Sequence, residues 1–152
     1  MAEGKKVVTT NRKARYEYHI EDTVEAGLVL QGTEVKSLRN GKASLQEAFC
    51  TVDGGEMMLR QCHIPPYSHG NRENHDPLRT RKLLLHKREI RKWGIAVQQK
   101  GYTIVPMELY FRNGVAKLLI GLGKGKKLHD KRADIAERDT RRRLEQVEGR
   151  RR

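Results

Sequence analysis

Apolar and polar residues alternate at every second position over much of this chain, the period of strands with one buried face. Tyr16, Tyr18 and Ile20 alternate with Glu17, His19 and Glu21 and predict a first strand. Residues 21–27 read as a turn or reversal, and residues 28–38 as a long second strand. The apolar parity of that segment shifts across Gly32, as a bulge would require. Residues 39–42 are a turn. Segments 49–52 and 56–64 form a hairpin across Asp53-Gly54-Gly55, ended by Pro65-Pro66. Segment 102–111 is a strand with Val105, Met107, Leu109 and Phe111 on one face. Asn113-Gly114 is a type I′ turn signal, leading into 115–122 with Ala116, Leu118, Ile120 and Leu122 inward.

Helical spacing is scarcer. Residues 79–100 form the one clear helical region, with Leu83, Leu84, Leu85, Ile90, Trp93, Ile95 and Val97, a kink near His86, and Gly101 as its C-cap. Ser44 and Glu47 suit a capping box on a short helix. About six strands with so little helix cannot bury one face of an open sheet. A small closed OB-like antiparallel barrel with peripheral helices resolves this. The expected organisation is a flexible arm over 1–10, the barrel over 11–123, and a basic tail over 124–152.

Charge changes the picture from fold to ligand. The 152 residues carry a formal net charge of +13, and the segment from Gly121 onward has 12 Lys and Arg against 6 Asp and Glu. Residues before Gly121 hold 20 basic and 13 acidic, so the barrel is cationic without its tail. Basic residues cluster at Arg12, Lys13 and Arg15, at Arg79, Arg81 and Lys82, at residues 87–92, and at Lys124, Lys126 and Lys127. The tail continues through His129, Lys131, Arg132, Arg138, Arg141, Arg142 and Arg143. Ala133, Ala136, Leu144 and Val147 share a helical face too sparse to hold a helix alone. A tail disordered when free and helical once docked is the expectation. Such a surface meets a polyanion, and sparse aromatics favour a folded nucleic acid read by shape and backbone charge. No apolar run approaches the length of a bilayer span, and residues 1–10 lack the apolar stretch of a secretory signal, so a cytoplasmic site is expected.

Candidate chemistry is thin. In the predicted hairpin Cys50 faces Leu59, which leaves the Cys62 thiol about 10 Å out of register; two half-buried free thiols are expected. His63, His69 and His75, six apart, match no common zinc spacing. A ribonuclease would need them to converge in space. No nucleophile elbow, zinc-protease or phosphate-loop motif is present. No enzyme activity, metal or cofactor is expected. Phe111 and Trp93 read as core, leaving Tyr16, Tyr18, Tyr67, Tyr102 and Tyr110, for which strand packing is the simpler reading.

The segments 11–15 (NRKAR), 25–27 (EAG), 32–39 (GTEVKSLR), Asp76-Pro77 with 79–85 (RTRKLLL), and 123–127 (GKGKK) with 130–132 (DKR) occur in an order and spacing that resembles the SsrA-binding protein family, SmpB. The resemblance runs from about Asn11 to Asp139. It implies an OB-type barrel and a non-enzymatic RNA-binding protein of trans-translation. Such a protein binds the tRNA-like part of transfer-messenger RNA and promotes its alanylation by alanyl-tRNA synthetase. It delivers that RNA, with elongation factor Tu acting through the RNA, to stalled ribosomes. The barrel replaces a missing anticodon arm, the tail enters the empty mRNA channel, and the nascent chain is tagged for proteolysis. By motif, the RNA face would include Asn11, Glu25, Leu84 and Lys117, with Lys124, Lys126 and Lys127 on RNA backbone; Lys36 is a further candidate RNA contact. Asp130, Lys131 and Arg132 would begin the ribosome-directed tail of a monomer. An initiation-factor-like ribosomal module would share the barrel and the charge, but not selectivity for transfer-messenger RNA.

Overall fold

The Asn113-Gly114 turn has φ of 52° and 80°, the double left-handed geometry that a type I′ hairpin demands. It joins two long antiparallel strands, which organise the rest. The computed structural model describes residues 4–68 and 74–126. In chain order these form β1 (Lys5–Thr10), α1 (Arg12–Glu17), β2 (Tyr18–Leu28), α2 (Gly32–Arg39), β3 (Phe49–Asp53), β4 (Glu56–Arg60), β5 (Arg81–Leu84), α3 (Lys87–Lys100), β6 (Thr103–Arg112) and β7 (Val115–Gly125).

All the pairings are antiparallel. The order β6-β3-β4-β5-β2-β7 closes on itself through β6–β7, which gives the expected barrel. Closure between β3 and β6 rests on one pair, Cys50 opposite Ile104. Farther along the same β6 edge, β1 adds a seventh strand, Lys5 opposite Arg112. The interior is filled by Ala116, Leu118, Ile120 and Leu122 of β7 with Leu59, Met57, Leu83, Leu109 and Ile104. Ile90 and Trp93 of α3 join that core, and Gly101 ends the helix at φ 71°. Where β2 and β7 run past the barrel end, a Cβ on Gly123 would lie 2.5 Å from the His19 carbonyl oxygen, so only glycine fits there.

The predicted hairpin register holds: Cys50 lies opposite Leu59. Both thiols are free, and buried rather than half-buried. Burial pushes the Cys62 thiol up to about 11, so it stays protonated near neutrality.

Several expectations change. Residues 5–10 form a strand, not a flexible arm, because the β6 edge beyond β3 offers unpaired backbone groups. Residues 21–27 continue β2 past a bulge between Ile20 and Asp22, with Val24, Ala26 and Leu28 turned inward. The predicted second strand is largely α2. Glu34 Oε1 accepts the Gln31 amide at 2.7 Å, capping a helix start that the parity shift at Gly32 had disguised. The predicted helix over 79–100 divides at His86, its first part being β5, claimed by β4 and β2 on either side. Ser44 bridges His63 through reciprocal backbone bonds of 2.9 and 3.1 Å in place of a helix start. A bulge between Pro106 and Glu108 turns Val105 and Met107 outward onto Ala14 of α1, while Leu109 and Phe111 point into the core.

Candidate nucleic-acid interface

Strand alternation places one side of β7 outward: Val115, Lys117 and Leu119 oppose the inward Ala116, Leu118 and Ile120. Lys117 sits between Gly27 of β2 and Tyr110 of β6, and Leu119 between Glu25 and Glu108. Gly27 in turn lies opposite Leu84, which is 54% exposed. A Cβ on Gly27 would come within 3.2 Å of Leu84 Cβ, so the glycine lets the leucine lie across β2. Glu25, Leu84 and Lys117 therefore share one outward face, although 59 residues separate the first two in sequence.

At one end of that face α1 packs through Ala14 onto Val105 and Met107, with Leu119 in the same cluster. Its Arg12, Lys13 and Arg15 remain exposed. Asn11 fixes the chain at this corner: its amide donates to the Met107 carbonyl at 2.8 Å and its side-chain Nδ2 to the Pro106 carbonyl at 2.9 Å. A groove between α1 and the 43–46 loop is lined by Asn11, Arg12 and Lys13 on one side and by Ala43, Ser44 and Leu45 among others on the other.

The face carries its own charge pattern. Oε2 of Glu25 accepts from the Tyr110 hydroxyl and, at 3.0 Å, from Arg112 Nε. The Tyr110 hydrogen bond holds the Glu25 carboxyl below the usual glutamate range, against a burial cost and with help from Arg112 and Lys117. Burial first, and Glu25 second, push the Tyr110 phenol up to about 12. Lys5 Nζ lies 4.6 Å from the Tyr110 ring centre and 2.7 Å from Glu108 Oε1. Sequence reasoning missed Lys5 and Arg112 as members of this face, and weighed Tyr110 only as a stacking candidate or as strand packing. Their register on β1 and β6 was the only signal that could have found them.

The other candidates divide. Lys82 is exposed on β5, 3.4 Å from Glu56. Lys124 is exposed at the end of β7, its ammonium 4.8 Å over the Tyr102 ring. The Lys126 amide donates to the Glu17 carbonyl at 2.8 Å. Lys36 stands on α2, 5.6 Å from the Tyr67 ring centre. Arg81 is no surface cation. Its side chain is 0% exposed, with Nε 2.5 Å from Glu34 Oε2 and Nη1 2.6 Å from the Cys62 carbonyl. Arg79 joins it, Nη2 reaching Glu34 Oε1 at 2.6 Å. Glu34, to which sequence reasoning gave no role, is the hub that ties α2 to the 74–81 segment.

His75 belongs to that same anchor. Its ring bonds Thr33 Oγ1 at 2.9 Å through Nδ1, and Nε2 donates to the Ile64 carbonyl at 2.8 Å. His63 is exposed. His69, Lys127, His129, Asp130, Lys131, Arg132, Arg138, Arg141, Arg142 and Arg143 lie outside the described residues, as does the predicted tail helix. No group of three or more His, Cys, Asp or Glu among the described residues is arranged to hold a metal.

The family model for SmpB, "SmpB protein", matches residues 8–150. The chain belongs to the SmpB family. The "SsrA-binding protein" of Bacillus pumilus is 55% identical over 142 residues, covering 93% of this chain and 91% of that one. The protein of the same name from Alkaliphilus metalliredigens is 56% identical over 152 residues, covering 99% and 97%. A solved chain described as "tmRNA-SmpB: a journey to the center of the bacterial ribosome" superimposes with a TM-score of 0.66 at 50% identity, covering 79% of this chain and 85% of its own.

Proposed function

We propose that this SmpB-family chain binds transfer-messenger RNA and carries it to stalled ribosomes in trans-translation, acting by binding and not by catalysis. The observation that carries this reading is the SmpB match over residues 8–150, joined to relatives named SsrA-binding protein. The surface is suited to the task. A rigid barrel presents α1, β7, β2 and β5 as one face, with cations at its corner and an apolar contact at Leu84. Phosphate contacts from Arg12, Lys13, Arg15 and Lys117 would set register, and Leu84 would pack on a base or ribose.

In the fuller form of the proposal, the bound RNA is alanylated by alanyl-tRNA synthetase and travels with elongation factor Tu. Lys124, Lys126 and Lys127 lead into a tail that probes the empty mRNA channel of a cytoplasmic ribosome, and the protein works as a monomer. The absence, among described residues, of any helix long and apolar enough to cross a membrane is compatible with that place of work. A nuclease reading loses support from His75, whose ring is buried and committed to Thr33 and Ile64.

The deciding experiment is competition binding among transfer-messenger RNA, bulk tRNA and a random RNA of equal length, at two salt concentrations. Transfer-messenger RNA should win at both. The salt slope reports the number of phosphates met, log K falling by about 0.9 per contact on duplex RNA if it behaves as B-DNA does. Equal affinity for the random RNA would reject the reading and leave a general ribosomal RNA-binding module. Truncation after Leu128 should keep RNA binding while abolishing tagging on stalled ribosomes; full tagging by the truncated chain would reject the role of the tail.

A further inference from the structure

The proposed RNA face has a carboxylate near its middle, which charge alone would exclude from a surface that meets phosphates. The geometry of Glu25 accounts for it. Both of its hydrogen bonds fall on one oxygen, Oε2, and both come from β6: the Tyr110 hydroxyl and Arg112 Nε. β7 lies between β2 and β6, so the Glu25 side chain reaches across a whole strand, past Lys117, to make them. Tyr110 is 2% exposed, and its ring lies under Lys5 and, at 5.5 Å, under the Arg112 guanidinium. The ring is therefore a seat for cations and not a stacking platform for bases. Arg112 is held at Nε, and its side chain is still 36% exposed. An arginine fixed at Nε can turn its two terminal nitrogens outward, the paired geometry that fits two oxygens of a phosphate.

We infer that Glu25 is a positioning residue for RNA binding, and that the phosphate is met by Arg112, seated on Tyr110 beside Lys5. This rests on the RNA-binding reading above and adds to it a division of labour within the face. A free arginine loses the motion of a long side chain when it binds, and Glu25 removes much of that loss in advance.

The test is a double-mutant cycle of Glu25→Ala and Arg112→Ala in the full-length protein, with Glu25→Gln as the discriminating variant. Affinity is read on transfer-messenger RNA and on a random structured RNA of the same length, and a thermal melt accompanies each variant. A glutamine can accept both hydrogen bonds through its single carbonyl oxygen, so it preserves the seat without the charge. Each alanine variant should weaken binding about tenfold on both RNAs, and the double variant should be no weaker than Arg112→Ala alone. Glu25→Gln should stay within about twofold of the parent. If Glu25→Gln binds as poorly as Glu25→Ala while Arg112→Ala binds normally, the carboxylate touches RNA itself and the inference is overturned. Additive losses would overturn it as well. Because a phosphate contact shows on any structured RNA, the cycle stays readable even if the parent shows no preference for transfer-messenger RNA, an outcome that counts against the proposed function instead.

Discussion

Glu34 and Glu25 each hold arginines from a distant part of the chain, and burial gives them different work. Glu34 is 0% exposed and binds Arg81, also 0% exposed, together with Arg79. Burial alone would raise its carboxyl pKa, but Arg79, the Gln31 amide and Arg81 outweigh that and hold it below the usual glutamate range. Glu25 is 35% exposed and faces solvent with Arg112. A buried charged cluster is costly to break, because its survivors are left desolvated and unpaired. An exposed pair adds little to folding and remains available to a ligand. The same pairing chemistry fastens α2 in one place and shapes a binding surface in the other.

Breaking the buried cluster should have the largest effect. Glu34→Ala, which strands the buried Arg81 guanidinium, is expected to cost about 3–5 kcal/mol in denaturant unfolding, and Arg81→Ala a similar amount. A loss below about 1 kcal/mol would mean that water reaches the cluster and that the two glutamates are alike after all. Arg79→Ala should cost less, about 1–2 kcal/mol, because the Arg79 side chain keeps 29% exposure and water can take its place.

The pH dependence sharpens the contrast. The folded-state pKa of Glu34 lies below its unfolded value, near 4.3 for a free glutamate. Its contribution is therefore fully present above that value and is lost as pH falls through the folded pKa. Unfolding free energy followed downward from about pH 5 should fall in the parent protein, and less steeply in Glu34→Gln. Parallel slopes for the two would remove Glu34 as the source. The smallest effect belongs to the outer face: Glu25→Gln should leave the melting temperature where it was, as exposed substitutions commonly do.

The two regions also differ in how far sequence reveals them. The β3–β4 hairpin with its register, the β6–β7 hairpin, and the second half of the predicted helix follow from local signals: paired glycines, Asn113-Gly114, and the Gly101 cap. β1 and β5 did not, because their neighbours decide them. The leucines at 83 and 84 suit a helix as well as a strand, until β4 and β2 take up the backbone on both sides. At α2, the parity shift across Gly32 was read as a bulge in one long strand, while the Gln31–Glu34 cap and the spacing of Val35 and Leu38 carried the helical signal. Charge clustering brought Arg81 among the RNA contacts for want of burial, which no local pattern gives. Family resemblance supplied Glu25, Leu84 and Lys117. Their meeting on one face, with Arg112 and Tyr110, depends on the register of β2, β7 and β6.

The central claim is that the outer face binds RNA while the buried cluster holds the fold. It is tested most directly by Glu25→Ala, with thermal melting and titration by transfer-messenger RNA carried out on the same preparation. The account predicts an affinity weakened about tenfold and a melting temperature lowered by no more than the loss of the single Tyr110 hydrogen bond allows. A larger fall in melting temperature, with parental affinity in the fraction that remains folded, would contradict it and place Glu25 among the supports of the barrel.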